Sequence, residues 1–309
     1  MNPMFHDIPG SSTWKSIELI SKGYSNDSKY HITTYSDEHF LLRIAKPENY
    51  DQKKDEFITI KKVFRKDFAM SEALDFGLCQ AGVYLLLTWI EGDDLESALP
   101  ALPLADQYRL GCEAGRILHE IHNTPFEFER VSWEERFNQK LDRKIKNYEA
   151  CPLKYDSGQF FVEYINQSRH LLKDRPNRLQ HGDYHVGNLI LTPSGQIGVI
   201  DFNRFDYGDP WEEFNRIVWD VRISPAFATG RVDGYFDHHV PECFFKLLAL
   251  YIAANTLSSL PWAIPFGEGE ITIMREQAKN ILIDFHHFNR VFPKWYTDSK
   301  ANLERLGRS

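Results

Sequence analysis

HGDYHVGNLILTPSGQIGVIDF, residues 181–202, sets three polar side chains, Asp183, Asn188 and Asp201, around a short apolar hairpin. Such groups beside a core segment cost free energy unless they have a partner or a chemical task. The strands read as NLILT and QIGVIDF, joined by PSG, whose Pro193 and Gly195 suit a short loop with one residue at positive φ. Asn188 opens the first strand and Asp201 lies near the end of the second, so antiparallel pairing predicts both at one end of the ribbon. Asp183, five positions before Asn188, sits in the loop that enters that end. A hard divalent cation prefers oxygen ligands, and Mg2+ usually takes one or two carboxylates together with substrate phosphates. Asn188 and Asp201 fit that task, and Asp183 is placed to take a proton from an incoming hydroxyl.

Upstream of this hairpin the chain changes character once. KYHITTYSDEHFLLRIAK holds two strand-like runs around a turn-prone SDEH. QKKDEFITIKKVFRK spaces Phe57, Ile60 and Phe64 as a helix does, with Val63 beside them. EALDFGLCQAGVYLLLTWIEG reads as a hairpin that Gly92 and two aspartates end, which sets a lobe boundary near residue 92. Helices then dominate: ADQYRLGCEAGRILHEIH puts Leu110, Ala114, Ile117, Leu118 and Ile121 on one core-facing stripe. The expected division is a β-rich region 1–92 and a mainly helical region 93–309, an α+β chain. In RILHEIH the histidines His119 and His122 lack the HExxH spacing, so a structural role is expected there.

Composition narrows the functional classes. The 309 residues, 42% hydrophobic and 26% charged, suit one large domain or two lobes of a soluble protein. A formal net charge of −8 argues against general nucleic-acid binding and favours cationic small molecules by long-range attraction. The basic run KKVFRK reads as the solvated face of a helix. The N-terminal residues show no basic region followed by an apolar run, so no secretory signal is expected. LLALYIAANTLSSL, interrupted by polar residues and followed by Pro261, reads as a buried helix and not as a membrane span. Cys79, Cys112, Cys151 and Cys243 are far apart, which fits a reduced, cytoplasmic protein.

HGDYHVGN followed by VIDF and YGDPWEE resembles the aminoglycoside phosphotransferase family, which shares its fold with eukaryotic-like kinases and choline kinases. The five-residue Asp–Asn spacing and the 13-residue step from Asn188 to Asp201 match kinase catalytic and metal-binding loops. The resemblance implies a bilobal protein-kinase-like fold and an ATP- (or GTP-) and Mg2+-dependent transfer to a hydroxyl of a small molecule. Asp183 would be the catalytic base, Asn188 and Asp201 the metal ligands, His181 a hydrogen-bonding loop residue, and Asp209 a brace for the catalytic loop. An aminoglycoside is the leading acceptor. Other small-metabolite or macrolide kinases and a non-catalytic nucleotide-binding module are the alternatives. The short step from Asp201 to GDPWEE, with no APE-like segment, disfavours a protein kinase.

By the same resemblance the first region would hold the nucleotide. Gly23, Ser25 and Asn26 would cover the phosphates, and Trp89 to Glu91 would meet adenine with main-chain groups. Where the kinase pattern has a strand-borne lysine, FLLRIAK offers Arg43, with Lys46 on the other strand face. Arg43 is therefore expected as the phosphate clamp, paired with Glu56. For a cationic acceptor, the expected wall is acidic and aromatic: Trp262, Phe266, Glu268 and Glu270 in a Pro- and Gly-rich loop, joined by Asp206 and Glu213.

Overall fold

A computed structural model describes residues 3–21, 27–65, 67–125 and 132–306. In chain order come β1 (Trp14–Ile20), β2 (Ser28–Thr34), β3 (His39–Ala45), α1 (Tyr50–Val63), β4 (Ala69–Met70), β5 (Ala73–Cys79), β6 (Gly82–Thr88) and β7 (Asp93–Asp94). Next are α2 (Leu95–Ala98), α3 (Leu104–His122), α4 (Trp133–Ala150), α5 (Gly158–Ser168), β8 (Arg178–Gln180), β9 (Leu189–Leu191), β10 (Ile197–Val199) and β11 (Asp206–Gly208). The chain closes with α6 (Ile217–Ile223), α7 (Pro225–Tyr235), α8 (Glu242–Ala263), α9 (Glu268–Asp284) and α10 (Lys294–Leu306).

The protein falls into two compact units. The first contains Met1–Asp94 and Leu189–Asn203. Its main sheet is antiparallel, in the order β1-β2-β3-β6-β5. One face buries Leu42, Ile44, Tyr84 and Leu86 against Phe5, Ile8 and Trp14, while α1 packs on β5 and β6. Strand alternation then turns Arg43, which lies between Leu42 and Ile44, to the opposite face. The buried residues of α1 are Lys53, Glu56, Thr59, Ile60 and Val63, so its inner face carries two charges.

The β9–β10 hairpin belongs to this first unit. β10 pairs in parallel with β4, and β9 pairs antiparallel with β7. Division at residue 92 would assign the hairpin to the helical region; these two ladders are the physical reason that it groups with the strands. Leu189 lies opposite Val199, which gives the antiparallel ribbon read from the sequence.

The second unit, Leu95–Asn188 with Arg204–Ser309, is mainly helical, with one small ladder between β8 and β11. All five residues of the expected α3 stripe are buried. α3 and α7 touch through backbone: a Cβ on Gly111 or Gly115 would lie 2.2 Å from the Phe227 or Arg231 carbonyl. Gly230 and Gly234 meet α3 in the same way, 2.2 and 2.1 Å from the Tyr108 and Cys112 carbonyls. Larger residues at these four positions would force the helices apart. The apolar segment Glu242–Phe266 is long enough to cross a bilayer, yet 72% of its most apolar window is buried inside the protein. It forms the core of this unit.

Candidate active site

The loop from His181 to Asn188 follows β8 in the helical unit, and its shape is imposed by residues far away in sequence. Gly182 has φ +84°, and a Cβ there would lie 1.7 Å from the Arg204 carbonyl oxygen, so only glycine fits. The buried Glu213 carboxylate accepts the backbone N–H groups of Gly182 (3.1 Å) and Tyr184 (3.2 Å). Buried Asp220 accepts that of Val186 at 2.7 Å and is itself held by Arg231 at 2.6 Å. Tyr184 anchors the loop to α3 by donating its hydroxyl to the Ala114 carbonyl at 2.7 Å. Burial alone would raise the Glu213 carboxyl, but His122, His181 and the Gly182 amide outweigh it and hold it down to about 2. His122 stands behind it, its Nε2 3.7 Å from Glu213 and its Nδ1 2.9 Å from the Tyr235 hydroxyl.

This bracing leaves Asp183 partly exposed. Its carboxylate lies 3.2 Å from Arg216 Nε, 3.4 Å from Arg204 Nη1 and 3.7 Å from His185 Nε2. Asn188 donates Nδ2 to the Asp183 carbonyl at 2.8 Å, which fixes the amide and leaves its Oδ1 as the acceptor end. Buried His181 accepts the Asp183 N–H through Nδ1 at 3.3 Å, a loop-shaping bond.

The strand-rich unit carries a second polar cluster. Arg43 donates to Glu56 (3.0 Å), to Asp201 (3.0 Å) and twice to Asp27 (2.7 and 3.1 Å). Lys53 donates to Asp27 (2.5 Å) and Glu56 (2.7 Å), and Lys29 to Asp201 (3.2 Å). Burial works against the Arg43 charge, yet Glu56, Asp201 and Asp27 outweigh it and raise its pKa further. Asp201 has φ +69°, an uncommon conformation outside glycine that aims its carboxylate back toward Arg43 and Lys29. Lys46, by contrast, is exposed and approaches only Glu48 at 4.0 Å.

Several expected residues lie elsewhere. Gly23, Ser25 and Asn26 are outside the described residues. Trp89 and Glu91 lie between β6 and β7; Trp89 is half-buried against His31, with ring centroids 4.2 Å apart, and Glu91 is exposed. Glu213 is not on an acceptor wall, because it is buried beneath the His181–Asn188 loop, where it accepts two of its amides. Asp209 does not brace that loop with its side chain: the carboxylate is taken by Arg175, Tyr251 and the Trp211 amide. Only its carbonyl, accepting from Gln180 at 2.7 Å, reaches the strand before the loop. Asp206 is exposed and ion-paired with Arg136 at 3.3 Å. The expected Pro- and Gly-rich loop is instead the last turn of α8, a 3-10 turn and the first turn of α9. Trp262 and Phe266 are exposed there with ring centroids 4.7 Å apart, and Glu268 and Glu270 favour the α9 N-terminus electrostatically.

Sequence reasoning missed Lys29, Lys53, Asp27, Arg204, Arg216 and Asp220. Two of these had a signal. Lys29 lies directly opposite Arg43 in the β2–β3 ladder, and Lys53 is one helical turn before Glu56.

Among the described residues, no group of three or more His, Cys, Asp or Glu is arranged to hold a metal unaided. The two expected metal ligands, Asn188 and Asp201, offer an amide oxygen and a carboxylate and belong to different units.

Among curated proteins, none matches the chain. Among solved structures, a thermostable mutant of aminoglycoside phosphotransferase APH(4)-Ia, in ternary complex with ADP and hygromycin B, superposes with a TM-score of 0.65 at 17% identity. That likeness covers 88% of this chain and 94% of the other. The GDP complex of an aminoglycoside 2'-phosphotransferase-IIIa mutant gives 0.67 at 16% identity, covering 90% and 96%. The gentamicin–APH(2")-IIa complex gives 0.60 at 16%, covering 88% and 93%. These likenesses establish the kinase-like fold. A match to the phosphotransferase enzyme family spans residues 16–244, from β1 through the loop, the hairpin and the glycine-packed helices, and the chain belongs to that family.

Proposed function

We propose that the protein transfers the terminal phosphoryl group of ATP or GTP to a hydroxyl of a small molecule. The observation that carries this reading is the catalytic loop: buried carboxylates and a required glycine hold Asp183 partly open to solvent while Asn188 is locked to its main chain. Asp183 would orient the acceptor hydroxyl and take its proton. Asn188 and Asp201 would hold Mg2+, which when bound neutralises phosphate charge. Arg43, fixed by Glu56, would offer a permanent planar cation to phosphate oxygens, with Lys29 and Lys53 beside it. Trp89 and Glu91 would meet the base. Phosphoryl transfer depends chiefly on positioning and charge stabilisation, so this set is sufficient. Four free cysteines fit the cytoplasm as the site of this reaction.

An aminoglycoside acceptor is the finer reading, supported by the hygromycin B and gentamicin complexes of the structural relatives. Glu268 and Glu270 would serve it, and replacing both with glutamine would then weaken a cationic acceptor and leave nucleotide affinity unchanged. The two arginines beside Asp183 favour a second reading, an anionic acceptor. ADP release measured over aminoglycosides, macrolides, choline and amino sugars tests the function. Phosphorylated product that disappears with Asp183→Asn is the expected result, and nucleotide binding without transfer to any hydroxyl would count against it.

A further inference from the structure

The catalytic aspartate stands in positive surroundings. Arg216 and Arg204 both ion-pair with the one Asp183 carboxylate, at 3.2 and 3.4 Å, and both guanidinium groups reach solvent, with side chains 27% and 50% exposed. Two permanent cations thus share a single anion at the place where the acceptor hydroxyl must arrive. Most carboxylates close by do not redress the balance, because they are paired with other cations or buried beneath the loop. Asp206 is paired with Arg136 and Glu212 with Lys140, both at 3.3 Å. Glu213 and Asp220 are buried beneath the loop, engaged with its backbone. Glu96, exposed on α2, has its Oε2 near Gly187, where a Cβ would lie 3.5 Å from it.

A second observation comes from α4. Lys144 donates to the Ala254 carbonyl at 3.1 Å, one turn from Lys140. Burial, then the charges of Lys140 and Arg216, push its ammonium down to about 7 against the opposing pull of Glu212. After burial, Lys140 is the largest influence on this lysine, Glu212 opposes it, and Arg216 adds a smaller push of the same sign as Lys140, so two cations act here against one carboxylate.

We infer that the acceptor is an anionic hydroxyl compound, with Arg216 and Arg204 binding a carboxylate or phosphate group beside the hydroxyl that is phosphorylated. A polycationic acceptor would have to bring its ammonium groups against two guanidinium groups, whereas an anion meets two planar forks suited to oxyanion geometry. The inference rests on the phosphotransfer reading above. In the reaction the acceptor oxygen forms a bond to the terminal phosphorus and the bond from that phosphorus to the bridging oxygen breaks. The nucleoside diphosphate leaves with that electron pair, and the hydroxyl proton passes to Asp183 and then to solvent.

The test compares acceptors that share a skeleton and differ in charge: gluconate with glucitol, and glycerol 3-phosphate with glycerol, alongside hygromycin B and kanamycin. Coupled assays should give kcat/KM at least tenfold higher for one or both acids than for their uncharged partners. The carboxylate and phosphate arms show which anion the forks prefer. Arg216→Gln, and separately Arg204→Gln, should shrink that ratio severalfold, and Arg216→Lys should restore part of it. Higher kcat/KM for the aminoglycosides, or a charge ratio that neither glutamine variant moves, overturns the anionic acceptor while leaving phosphotransfer intact. If no acceptor of any charge turns over, melting of the AMP-PNP-loaded protein decides. The acids must then raise Tm more than their uncharged partners, and equal shifts overturn the inference. Failure to bind nucleotide at all would strike the phosphotransfer reading instead.

Discussion

The two polar clusters treat charge in opposite ways. In the strand-rich unit, Arg43, Lys53 and Lys29 meet Asp27, Glu56 and Asp201, three cations with three carboxylates, and Arg43, Lys53 and Glu56 are almost wholly buried. In the helical unit, Asp183 is partly exposed and shares two arginines that reach solvent, with no second carboxylate beside it in those ion pairs. Burial demands pairing, since an unpaired charge in a low-dielectric interior is prohibitively costly. Partial exposure relaxes that demand and lets one sign prevail. A charge-matched cluster centred on buried Arg43, Lys53 and Glu56 holds geometry, and an unmatched one whose arginines reach solvent is available to a ligand.

The sharpest way to break this contrast is Asp183→Asn. The amide preserves shape and cannot take the proton, so kcat should fall by roughly two to four orders of magnitude. Nucleotide affinity should remain within a few-fold and Tm should hardly move, because the side chain is not part of the loop's bracing. Activity near that of the native protein would show that the exposed carboxylate is not the catalytic one.

Removal of a matched charge should act on stability as much as on function. Arg43→Ala leaves Glu56, Asp27 and Asp201 without their shared cation, and breaking a buried pair costs about 3–5 kcal/mol. Lys46→Ala, at an exposed position, should stay within about 0.5 kcal/mol. Urea unfolding compares them directly, and the nucleotide KM should rise for the first variant alone. Equal effects would mean that the buried cluster is not a cooperative unit.

Glu213→Gln probes the support of the exposed cluster. The new amide can accept one N–H but presents a donor to the other, and each buried donor left unsatisfied costs about 1–3 kcal/mol. Because the Glu213 carboxyl titrates at about 2 in the fold, against 4.5 ordinarily, its stabilisation is complete above pH 4.5 and disappears as pH falls toward 2. Acid unfolding of the glutamine variant should lack that component. A parallel acid transition in both proteins would show that Glu213 does not couple the loop to protonation.

These contrasts also mark what the sequence could reveal. Hairpin register, strand alternation at Arg43 and the α3 stripe follow from local periodicity, so they were legible. The pairing of Arg43 with Glu56 followed from the resemblance, and the structure sets them 3.0 Å apart. The tasks of Glu213, Asp220 and Arg216 were not legible, because each depends on contact with a loop some thirty positions earlier, and no periodic signal encodes such a contact. From sequence, Asp209 of GDPWEE is expected to brace the loop and Glu213 to join an acidic acceptor wall. In the fold the segment divides into Asp209 locked by Arg175 and Tyr251, Glu212 paired with Lys140, and Glu213 buried. Charge in a sequence does not disclose burial, and burial decides whether a carboxylate braces or binds.

The smallest expected effect belongs to Lys144, and it separates local field from local packing. Burial comes first among the causes that push its ammonium down to about 7, followed by the repulsion of Lys140. Below pH 7 both folded and unfolded chains carry the proton, so the penalty is constant. Above pH 7 the folded chain releases it while the unfolded chain keeps it until about 10.5, so stability must rise with pH across that interval. Between pH 6 and 8 the gain should be roughly 1 kcal/mol. Lys144→Met keeps the aliphatic stem and removes the titration, so its stability should be flatter over that range and higher at pH 6. Arg216→Gln removes one of the repelling charges without touching Lys144, and should move the midpoint of the rise upward. A rise that persists unchanged in Lys144→Met assigns the titration to another group, and a midpoint indifferent to Arg216 limits the positive field to the immediate surroundings of Asp183.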